Sequence, residues 1–353
     1  MKPDPAAYLR LVRGQSRGIG PSLLRLGLAG AALPYRMGVA ARNLAFDRGW
    51  KTIERAGVPV ISVGNLTLGG TGKTPMVEYV ARWGRSRGLR VAILSRGYGQ
   101  DEGLNDEGRV LEENLPDVPH LQGRDRAALA GIAVEELESE LLVLDDGFQH
   151  RRLARDLDIV LLDALDPFGL GRIFPTGLLR EPIGSLRRAG VVVLSRGDLV
   201  SEAERLSIRA RAERSAGPLA WAVARHAPLG LLGEGVPEGS LGSLGDRAVA
   251  AFCGIGNPEG FRRTLEGIGA RVVGFRAFPD HHLYTAQDMT ELTRWTRDLG
   301  AELALTTQKD SVKLRAATLG PVPLRALRIG LEVVEGEDVL LDALARVAPA
   351  PTD

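Results

Sequence analysis

A glycine-rich stretch that ends in a lysine and a threonine is the part of this sequence that points most directly to chemistry. Residues 64–75 read GNLTLGGTGKTP and directly follow a short, largely β-branched apolar run at 58–63. Glycines, a lysine and a threonine between a strand and a helix are the arrangement of a phosphate-binding loop. Glycines let the backbone approach an anion closely, and the positive end of the following helix attracts it. The alternative is a glycine-rich turn that carries an exposed lysine.

The individual loop residues have separate roles in this interpretation. Lys73 supplies a mobile cation for the β- and γ-phosphates of a nucleotide, and the hydroxyl of Thr74 supplies an oxygen ligand for Mg²⁺. The usual pattern has a glycine at the position of Thr67, so the match to that pattern is incomplete. The predicted nucleotide-binding residues are Thr67, Gly69, Gly70, Thr71, Gly72, Lys73 and Thr74.

Two adjacent carboxylates follow a second apolar strand. Residues 142–150 read LVLDDGFQH, with Asp145 and Asp146 at the end of the strand. Beside a phosphate loop, an aspartate at the end of a strand is placed to hold Mg²⁺ or its waters. Successive side chains alternate across a strand, so the two should point in different directions. We predict that at least one of them binds the metal; the alternative is that Asp-Asp-Gly only forms a turn.

Further charged segments carry candidate site residues. Asp106 and Glu107 lie on an acidic, glycine-bearing loop at 101–108, and such a loop is otherwise solvated surface. Arg180 and Glu181 follow a glycine-rich segment, where the alternative is an exposed ion pair worth under about 1 kcal/mol.

Two adjacent histidines occur in the sequence FPDHH at 278–282, just beyond a predicted strand. Neighbouring side chains of an extended chain diverge, and no third histidine or cysteine is clustered with them, which argues against zinc. A histidine held by an acid near a transferring phosphoryl group is better interpreted as part of a base system.

The elements that must position these residues alternate between strands and helices. Such alternation predicts an α/β fold with a P-loop NTPase-like, mostly parallel sheet, in which ligands bind at the carboxyl ends of the strands. We predict a helix over 75–87, a helix over 124–137, and strands over 90–94, 141–144, 159–162 and 191–194.

A second, smaller α/β lobe is predicted towards the C-terminus, after a stretch rich in glycine and proline at 227–245 that we interpret as a hinge or linker. Its predicted elements are strands over 248–253, 271–275 and 303–306 and helices over 258–268 and 285–299. The predicted domains are an N-terminal helical segment at 1–50, a nucleotide-binding domain at 51–226 and the C-terminal lobe at 227–347.

The composition limits the class of protein. The 353 residues include 45 Lys and Arg against 44 Asp and Glu, a balance that argues against nucleic acid as a partner. Cys253 is the single cysteine, so the chain has no internal disulfide, and a reducing cytoplasm is its natural setting.

The first fifty residues are rich in arginine and nearly free of acid. Arginines at positions 10, 13, 17, 25, 36 and 42 interrupt apolar stretches, of which the longest runs only from Leu26 to Tyr35. That run is far shorter than the ~20 residues that span a bilayer. We predict an amphipathic helical segment that lies in the membrane interface and is attracted to anionic headgroups. The alternative is a helical arm that packs on the protein's own core.

Taken in order, these motifs resemble one family, the tetraacyldisaccharide 4′-kinases, which phosphorylate a lipid A precursor. The resemblance covers nearly the whole chain, and a threonine at the start of the phosphate loop is typical of the family. It rests on GNLTLGGTGKTP, LSRGYG, Asp106-Glu107, LDDGFQH, GLLREP, FPDHH and TTQKD. The sequence departs from the family at Asn105, where we expect glycine, and at Gln308, where an acid is usual.

The resemblance implies a function. It implies a peripheral or monotopic enzyme at the cytoplasmic face of the bacterial inner membrane, with ATP and Mg²⁺ as cofactors. Its lipid substrate would be tetraacyldisaccharide 1-phosphate, which receives the γ-phosphoryl group of ATP on its 4′-hydroxyl. By the family's pattern Asp106 is the catalytic base and His281 its partner. The metal would lie among Thr74, Asp145 or Asp146, and Glu181.

Two other classes of protein share some of these features. A membrane-surface ATPase that acts as a switch also combines a phosphate loop with an amphipathic helix. Such ATPases commonly carry a lysine just before the Gly-Gly pair, where this chain has Leu68. A soluble small-molecule kinase or ligase on the same fold would not need residues 1–50. The sequence carries no indication of the oligomeric state.

Overall fold

The structure is a computed structural model that describes residues 5–97, 106–233, 241, 244–314 and 316–348. Most of the predicted acidic loop at 101–108 lies outside the described residues, as do Tyr98 and Gly99 of the LSRGYG motif and part of the predicted linker.

The described helices are α1 (Pro5–Val12), α2 (Ile19–Asp47), α3 (Lys73–Ser86), α4 (Asp106–Asn114), α5 (Arg126–Glu135), α6 (Glu202–Ala216), α7 (Pro258–Gly267), α8 (Ala286–Asp298), α9 (Gln308–Leu314) and α10 (Glu337–Val347). The described strands are β1 (Val60–Asn65), β2 (Val91–Ser95), β3 (His120–Gln122), β4 (Leu141–Asp145), β5 (Leu157–Asp163), β6 (Val191–Ser195), β7 (Trp221–Leu232), β8 (Ala248–Cys253), β9 (Arg271–Ala277), β10 (Leu303–Thr307), β11 (Thr318–Leu319) and β12 (Val322–Glu335).

The chain divides into two compact units that differ in part from the predicted domains. The first unit contains the described residues of 1–96, 118–225 and 333–353, and the second contains those of 97–117 and 226–332. The division after residue 225 lies next to the predicted boundary. However, α4 belongs to the second unit and α10 to the first, because each packs with elements that are distant in sequence.

The first unit is built on a parallel sheet with strand order β3-β2-β4-β1-β5-β6-β7. This confirms the predicted α/β fold. Strands β1 and β4 are neighbours, and Val63 pairs with Asp145 in their register. Because the carboxyl ends of parallel strands meet at one edge of a sheet, the loop after β1 and the two aspartates at the end of β4 lie at the same edge.

Apolar side chains cover the sheet of the first unit on both faces. Strands β1, β4 and β6 are buried along their whole length, as expected of parallel strands covered by helices. Helix α3 packs Met76, Val77 and Val80 into this core, and it begins at Lys73 rather than at the predicted Pro75. Gly72 precedes it in the left-handed conformation, with a φ of 86°, so the lysine is the first helical residue.

The second unit contains a smaller parallel sheet with strand order β12-β10-β8-β9, to which β11 adds in antiparallel orientation. All five elements predicted for the C-terminal lobe are present within a few residues of their predicted bounds. The predicted linker is wrong in its first part, since β7 continues to Leu232 and buries Ala227 and Leu231. Strand β12 was not predicted, although its alternating residues Val322, Leu324 and Ala326 are buried.

The N-terminal segment forms two helices that belong to the first unit. Helix α2 packs with Val39 buried, and the hydroxyl of Tyr35 donates a hydrogen bond to the carbonyl of Arg180 at 3.2 Å. Its other side exposes an apolar stripe, which we call the α2 stripe, with helical spacing. The stripe consists of Ile19, Leu23, Leu26, Leu33, Met37 and Leu44. None of the described helices has the length and apolar character needed to cross a membrane.

Candidate functional site

The glycine-rich loop joins β1 to α3 and has the geometry of an anion cradle. Gly69 and Gly72 have φ values of 116° and 86°, a region that glycine enters at little cost. A Cβ added to Gly69 or Gly70 would meet no atom within 4 Å, so the backbone there is open to a ligand. Helix α3 starts immediately afterwards at Lys73 and directs its positive end towards the loop.

Two residues at the end of β6, Ser195 and Arg196, hold this loop through its carbonyl oxygens. The hydroxyl of Ser195 donates a hydrogen bond to the carbonyl of Thr71 at 2.8 Å, and the guanidinium of Arg196 donates one to the carbonyl of Gly70 at 3.1 Å. Arg196 also forms an ion pair with Asp163 at the end of β5. The neighbouring strands therefore fix the shape of the loop before any ligand binds.

Thr67 occupies the position where phosphate loops usually have glycine. Its φ is not in the left-handed region, so this backbone does not require a glycine. The side chain amide of Asn65 donates a hydrogen bond to the carbonyl of Thr67 at 2.9 Å, and Thr67 forms an isolated antiparallel bridge with Leu179. The threonine is buried, so it supports the loop from its base.

The turn after β4 brings the carboxylate of Asp146 to this loop. Asp146 has a φ of 50°, an unusual value for a residue with a side chain, and such strain persists only where the surroundings impose it. Both carboxylate oxygens lie 2.8 Å from one nitrogen of Arg180, and one lies 3.6 Å from the ammonium of Lys73. The following amide, that of Gly147, donates to the carbonyl of Val63 at 3.1 Å. The turn is thus tied to β1.

The charge state of Asp146 follows from its neighbours. Burial alone would raise the pKa of its carboxyl, but the charges of Lys73 and Arg180 outweigh burial and hold the pKa below its usual value. Asp146 is therefore ionised at neutral pH. Asp145 lies buried at the end of β4, and Thr74 lies buried in the first turn of α3.

A close approach between β1 and the same turn explains why position 64 is glycine. A Cβ on Gly64 would lie 2.6 Å from the Cβ of Phe148 and 2.8 Å from its backbone nitrogen. Any larger residue would push the Asp-Asp-Gly-Phe turn away from the sheet and displace Asp146 from Lys73. Sequence reasoning did not anticipate this requirement.

The predicted catalytic base, Asp106, and its partner His281 lie together within the second unit. Nδ1 of His281 lies 3.2 Å from Oδ2 of Asp106, the first described residue of α4. Burial raises the pKa of Asp106, but the hydrogen bond from His281 and the charge of Lys313, 3.7 Å away, outweigh it and lower the pKa. The same hydrogen bond raises the pKa of His281. The structure therefore brings together the two residues that the resemblance pairs.

Residues 24–348 match the family model of tetraacyldisaccharide-1-P 4′-kinase, which is most of the chain. The chain belongs to the tetraacyldisaccharide 4′-kinase family. This confirms the predicted family and the predicted class of enzyme, a kinase.

Individual members of the family resemble the whole chain. The tetraacyldisaccharide 4′-kinase of Anaeromyxobacter sp. (strain K) is 46% identical over 352 residues, which cover 92% of this chain and 93% of that protein. The tetraacyldisaccharide 4′-kinase of Syntrophus aciditrophicus (strain SB) is 38% identical over 329 residues. The crystal structure of LpxK from Aquifex aeolicus in complex with ATP is similar, with a TM-score of 0.72 and 31% identity. That match covers 92% of this chain and 99% of that one.

Glu181, a predicted metal ligand of the 4′-kinase, has other partners in the structure. Its fully buried carboxylate accepts hydrogen bonds from Arg42 at 2.7 Å, Arg188 at 2.9 Å and Asn43 at 3.0 Å. Burial raises its pKa, but the two arginines outweigh burial and lower it. Both carboxylate oxygens of Glu181 are engaged. The geometry therefore favours a structural role, in which Glu181 holds α2 against the rest of the first unit, over the predicted metal role. The partners from α2 are distant in sequence, and no local pattern indicates them.

At position 308, where the resemblance leads us to expect an acid, the glutamine has local partners. Its side chain amide donates hydrogen bonds to Glu113 at 2.6 Å and to Asn114 at 2.8 Å, both on α4. A carboxylate at position 308 would face the carboxylate of Glu113, and the two negative charges would repel each other. A neutral amide at this position avoids the repulsion.

Proposed function

We propose that this 4′-kinase transfers the γ-phosphoryl group of ATP to the 4′-hydroxyl of a tetraacyldisaccharide 1-phosphate. The observation that carries the proposal is the 3.6 Å contact between Lys73 and Asp146, which unites the phosphate loop and the strand-terminal acids in one site. The names of the relatives support the acceptor, and the ATP complex of LpxK from Aquifex aeolicus supports the nucleotide.

The residues of the first unit fit ATP and Mg²⁺. The open backbone at Gly69 and Gly70 and the start of α3 suit the phosphates, with Lys73 as their cation. Among the described residues, no three His, Cys, Asp or Glu side chains form a cluster that could hold a metal. Mg²⁺ needs none, because it takes most of its oxygens from phosphate and water. The hydroxyl of Thr74 and the carboxylate of Asp145 or Asp146 would supply the few protein oxygens.

Catalysis in this proposal is mainly alignment and charge stabilisation. When bound, Mg²⁺ neutralises charge on the phosphates of the nucleotide that supplies the γ-phosphoryl group. Lys73 and the loop amides stabilise the charge that spreads over the transferred group. Arg180 holds Asp146 in its ionised form and in a fixed position.

Proton removal from the acceptor is assigned to the second unit. Asp106 accepts the proton of the 4′-hydroxyl as that oxygen bonds to the γ-phosphorus and the bond from this phosphorus to the bridging oxygen of ADP breaks. His281 orients the carboxylate of Asp106. The low pKa of Asp106 keeps the carboxylate ionised and ready to accept a hydrogen bond at neutral pH. In a loose transition state the proton leaves late, so a weak base suffices.

The α2 stripe is proposed to bind the membrane surface that holds the acceptor. Six large apolar side chains on one side of α2 are exposed, while the opposite side packs on the first unit. The nearby arginines would attract anionic headgroups, at about 1 kcal/mol for each residue close to the surface. The enzyme would then be peripheral or monotopic at the cytoplasmic face of the inner membrane, where ATP is available.

A transfer assay with the full-length chain tests the proposal. Purified protein is incubated with radiolabelled ATP, Mg²⁺ and tetraacyldisaccharide 1-phosphate in detergent micelles, and the lipid is separated and counted. We expect label on the lipid, and none on a matched acceptor that already carries a 4′-phosphate. ATP consumption without labelled lipid would instead indicate a membrane-surface ATPase and overturn the proposal.

A further inference from the structure

The buried carboxylate of Asp310, in α9, is linked to Asp106 through the side chain of Lys313 and to His281 through the backbone of Gly254. Oδ1 of Asp310 lies 3.0 Å from the ammonium of Lys313, and that ammonium lies 3.7 Å from Oδ2 of Asp106. Oδ2 of Asp310 accepts the backbone N–H of Gly254 at 2.9 Å. The carbonyl of Gly254 in turn accepts the backbone N–H of His281 at 3.1 Å. One side chain thus reaches Asp106 through a cation and His281 through a backbone amide.

The position of Asp310 is itself fixed. The residue is fully buried, and the hydroxyl of Thr307 donates a hydrogen bond to its Oδ2 at 2.7 Å. The side chain of Lys313 is only 5% exposed and lies over the ring of Tyr284, with Nζ 5.6 Å from the ring centre. A buried ion pair contributes little net stability, because the desolvation of its two partners offsets their attraction. The placement of Lys313 between two carboxylates therefore calls for a role besides stability.

We propose that Asp310 and Lys313 are positioning residues for the Asp106–His281 pair. They hold the carboxylate of Asp106 against the imidazole of His281 while the acceptor hydroxyl is deprotonated. This inference rests on the proposed function, since it assumes that Asp106 is the base. A displacement of about 1 Å in a catalytic group can cost about a hundredfold in rate, so the supporting contacts matter.

Other charged groups also face the pair. Lys309 lies near both members, and its ammonium forms an ion pair with Glu107 at 2.7 Å. Asp280 precedes His281 and faces its imidazole. Lys309 and Lys313 lie on the same helix and carry the same charge, but only Lys313 contacts Asp106 directly. They form a matched pair for a test.

The test compares Lys313→Met with Lys309→Met in the full-length chain. Methionine keeps the length and the apolar stem of lysine and removes only the charge and its hydrogen bonds. We expect Lys313→Met to lower kcat about ten- to hundredfold with little change in the KM for ATP. The acidic limb of the kcat profile should move to higher pH, because Lys313 favours the ionised form of Asp106. Lys309→Met should change kcat and the position of the acidic limb much less. Lys313→Arg should recover most of the kcat of the wild type.

The outcomes separate this inference from the proposed function. A merely structural lysine would change the thermal midpoint without moving the pH profile, and that result overturns the positioning role. Equal effects of Lys309→Met and Lys313→Met would also overturn it. Asp106→Asn provides the separate reference. If Asp106→Asn keeps full transfer activity, the assignment of the base fails. If it is inactive while Lys313→Met matches wild type, only the positioning role fails.

Discussion

The ammonium of Lys73 lies 3.6 Å from a carboxylate oxygen of Asp146. These residues come from two different motifs of the sequence, and the parallel register of β1 with β4 brings them together. The contact pairs the cation of the phosphate loop with an acid whose pKa is lowered by Lys73 itself and by Arg180. In the proposed function, Lys73 would face the phosphates of the nucleotide and Asp146 would face Mg²⁺, so the two opposite charges that these ligands need lie side by side.

Replacement of that lysine is the first test of the loop. Lys73→Ala is expected to reduce phosphoryl transfer by at least about a hundredfold. The substitution removes the ammonium that would stabilise the negative charge of the transferred group. The thermal midpoint should change little, since Asp146 keeps Arg180 as a partner. Lipid labelling and thermal unfolding measure the two effects, with the exposed Lys51→Ala as the control. Normal turnover in Lys73→Ala would exclude the loop from catalysis.

The contact between Asp106 and His281 leads to a prediction on kinetics. Asp106→Ala and His281→Ala should each lower kcat, by about 10²- to 10⁴-fold for the aspartate, and leave the KM for ATP nearly unchanged. The double variant should be scarcely slower than Asp106→Ala, because residues that act as a unit are not additive. Steady-state kinetics of the three variants measure this. Losses that multiply would show that the two residues work separately.

The ion pairs of Glu181 predict an effect on stability. Glu181→Ala leaves the guanidinium groups of Arg42 and Arg188 without their buried partner, which should cost about 3–5 kcal/mol of unfolding free energy. Chemical denaturation measures it. The exposed pair of Glu266 with Arg262 gives the control, because Glu266→Ala should cost under about 1 kcal/mol. Equal costs would mean that burial of Glu181 is without energetic consequence.

The same carboxylate predicts a dependence on pH. The pKa of Glu181 is lowered in the folded state from its ordinary value of 4.5, so its ionised form stabilises the fold above that pH. This stabilisation is lost as the pH falls through the lower folded pKa. The stability difference between wild type and Glu181→Gln should therefore shrink below about pH 4.5. Unfolding curves at several pH values check this, and a constant difference would contradict it.

The α2 stripe predicts membrane binding. Leu26→Glu combined with Leu33→Glu should weaken sedimentation with anionic liposomes at least about tenfold, since each leucine loses about 1.5–3 kcal/mol of apolar burial. The KM for lipid acceptor should rise, while ATP binding persists. Leu206→Glu on α6 is the matched control, because Leu206 is similarly exposed at 60%. Equal sedimentation of all variants would show that α2 only packs on the protein.

Point variants suit this test better than removal of residues 1–45. That deletion would also remove Arg42 and Asn43 from the buried Glu181, so it would confound membrane binding with the stability of the first unit.

Local patterns in the sequence predicted much of the fold. The apolar runs of β1, β4, β6 and β8 and the glycines of the loop carry their information within a few residues, and the structure has them in place. What the sequence did not predict depends on contacts between distant segments. The partners of Glu181 and the grouping of α4 with the second unit are of this kind. Their residues are unremarkable in their local context, and only the folded chain brings them together.

The ion pair between Arg42 and Glu181 has a mechanical consequence. Glu181 is the neighbour in sequence of Arg180, which holds Asp146 beside Lys73. A short series of side-chain contacts and one peptide bond therefore connects α2, the helix that carries the stripe, to the phosphate loop. If the helix settles at a given depth in a lipid surface, the height of the loop above that surface is set as well. In the proposed function, α2 would therefore set the distance between the phosphate loop and the lipid surface, in addition to binding that surface.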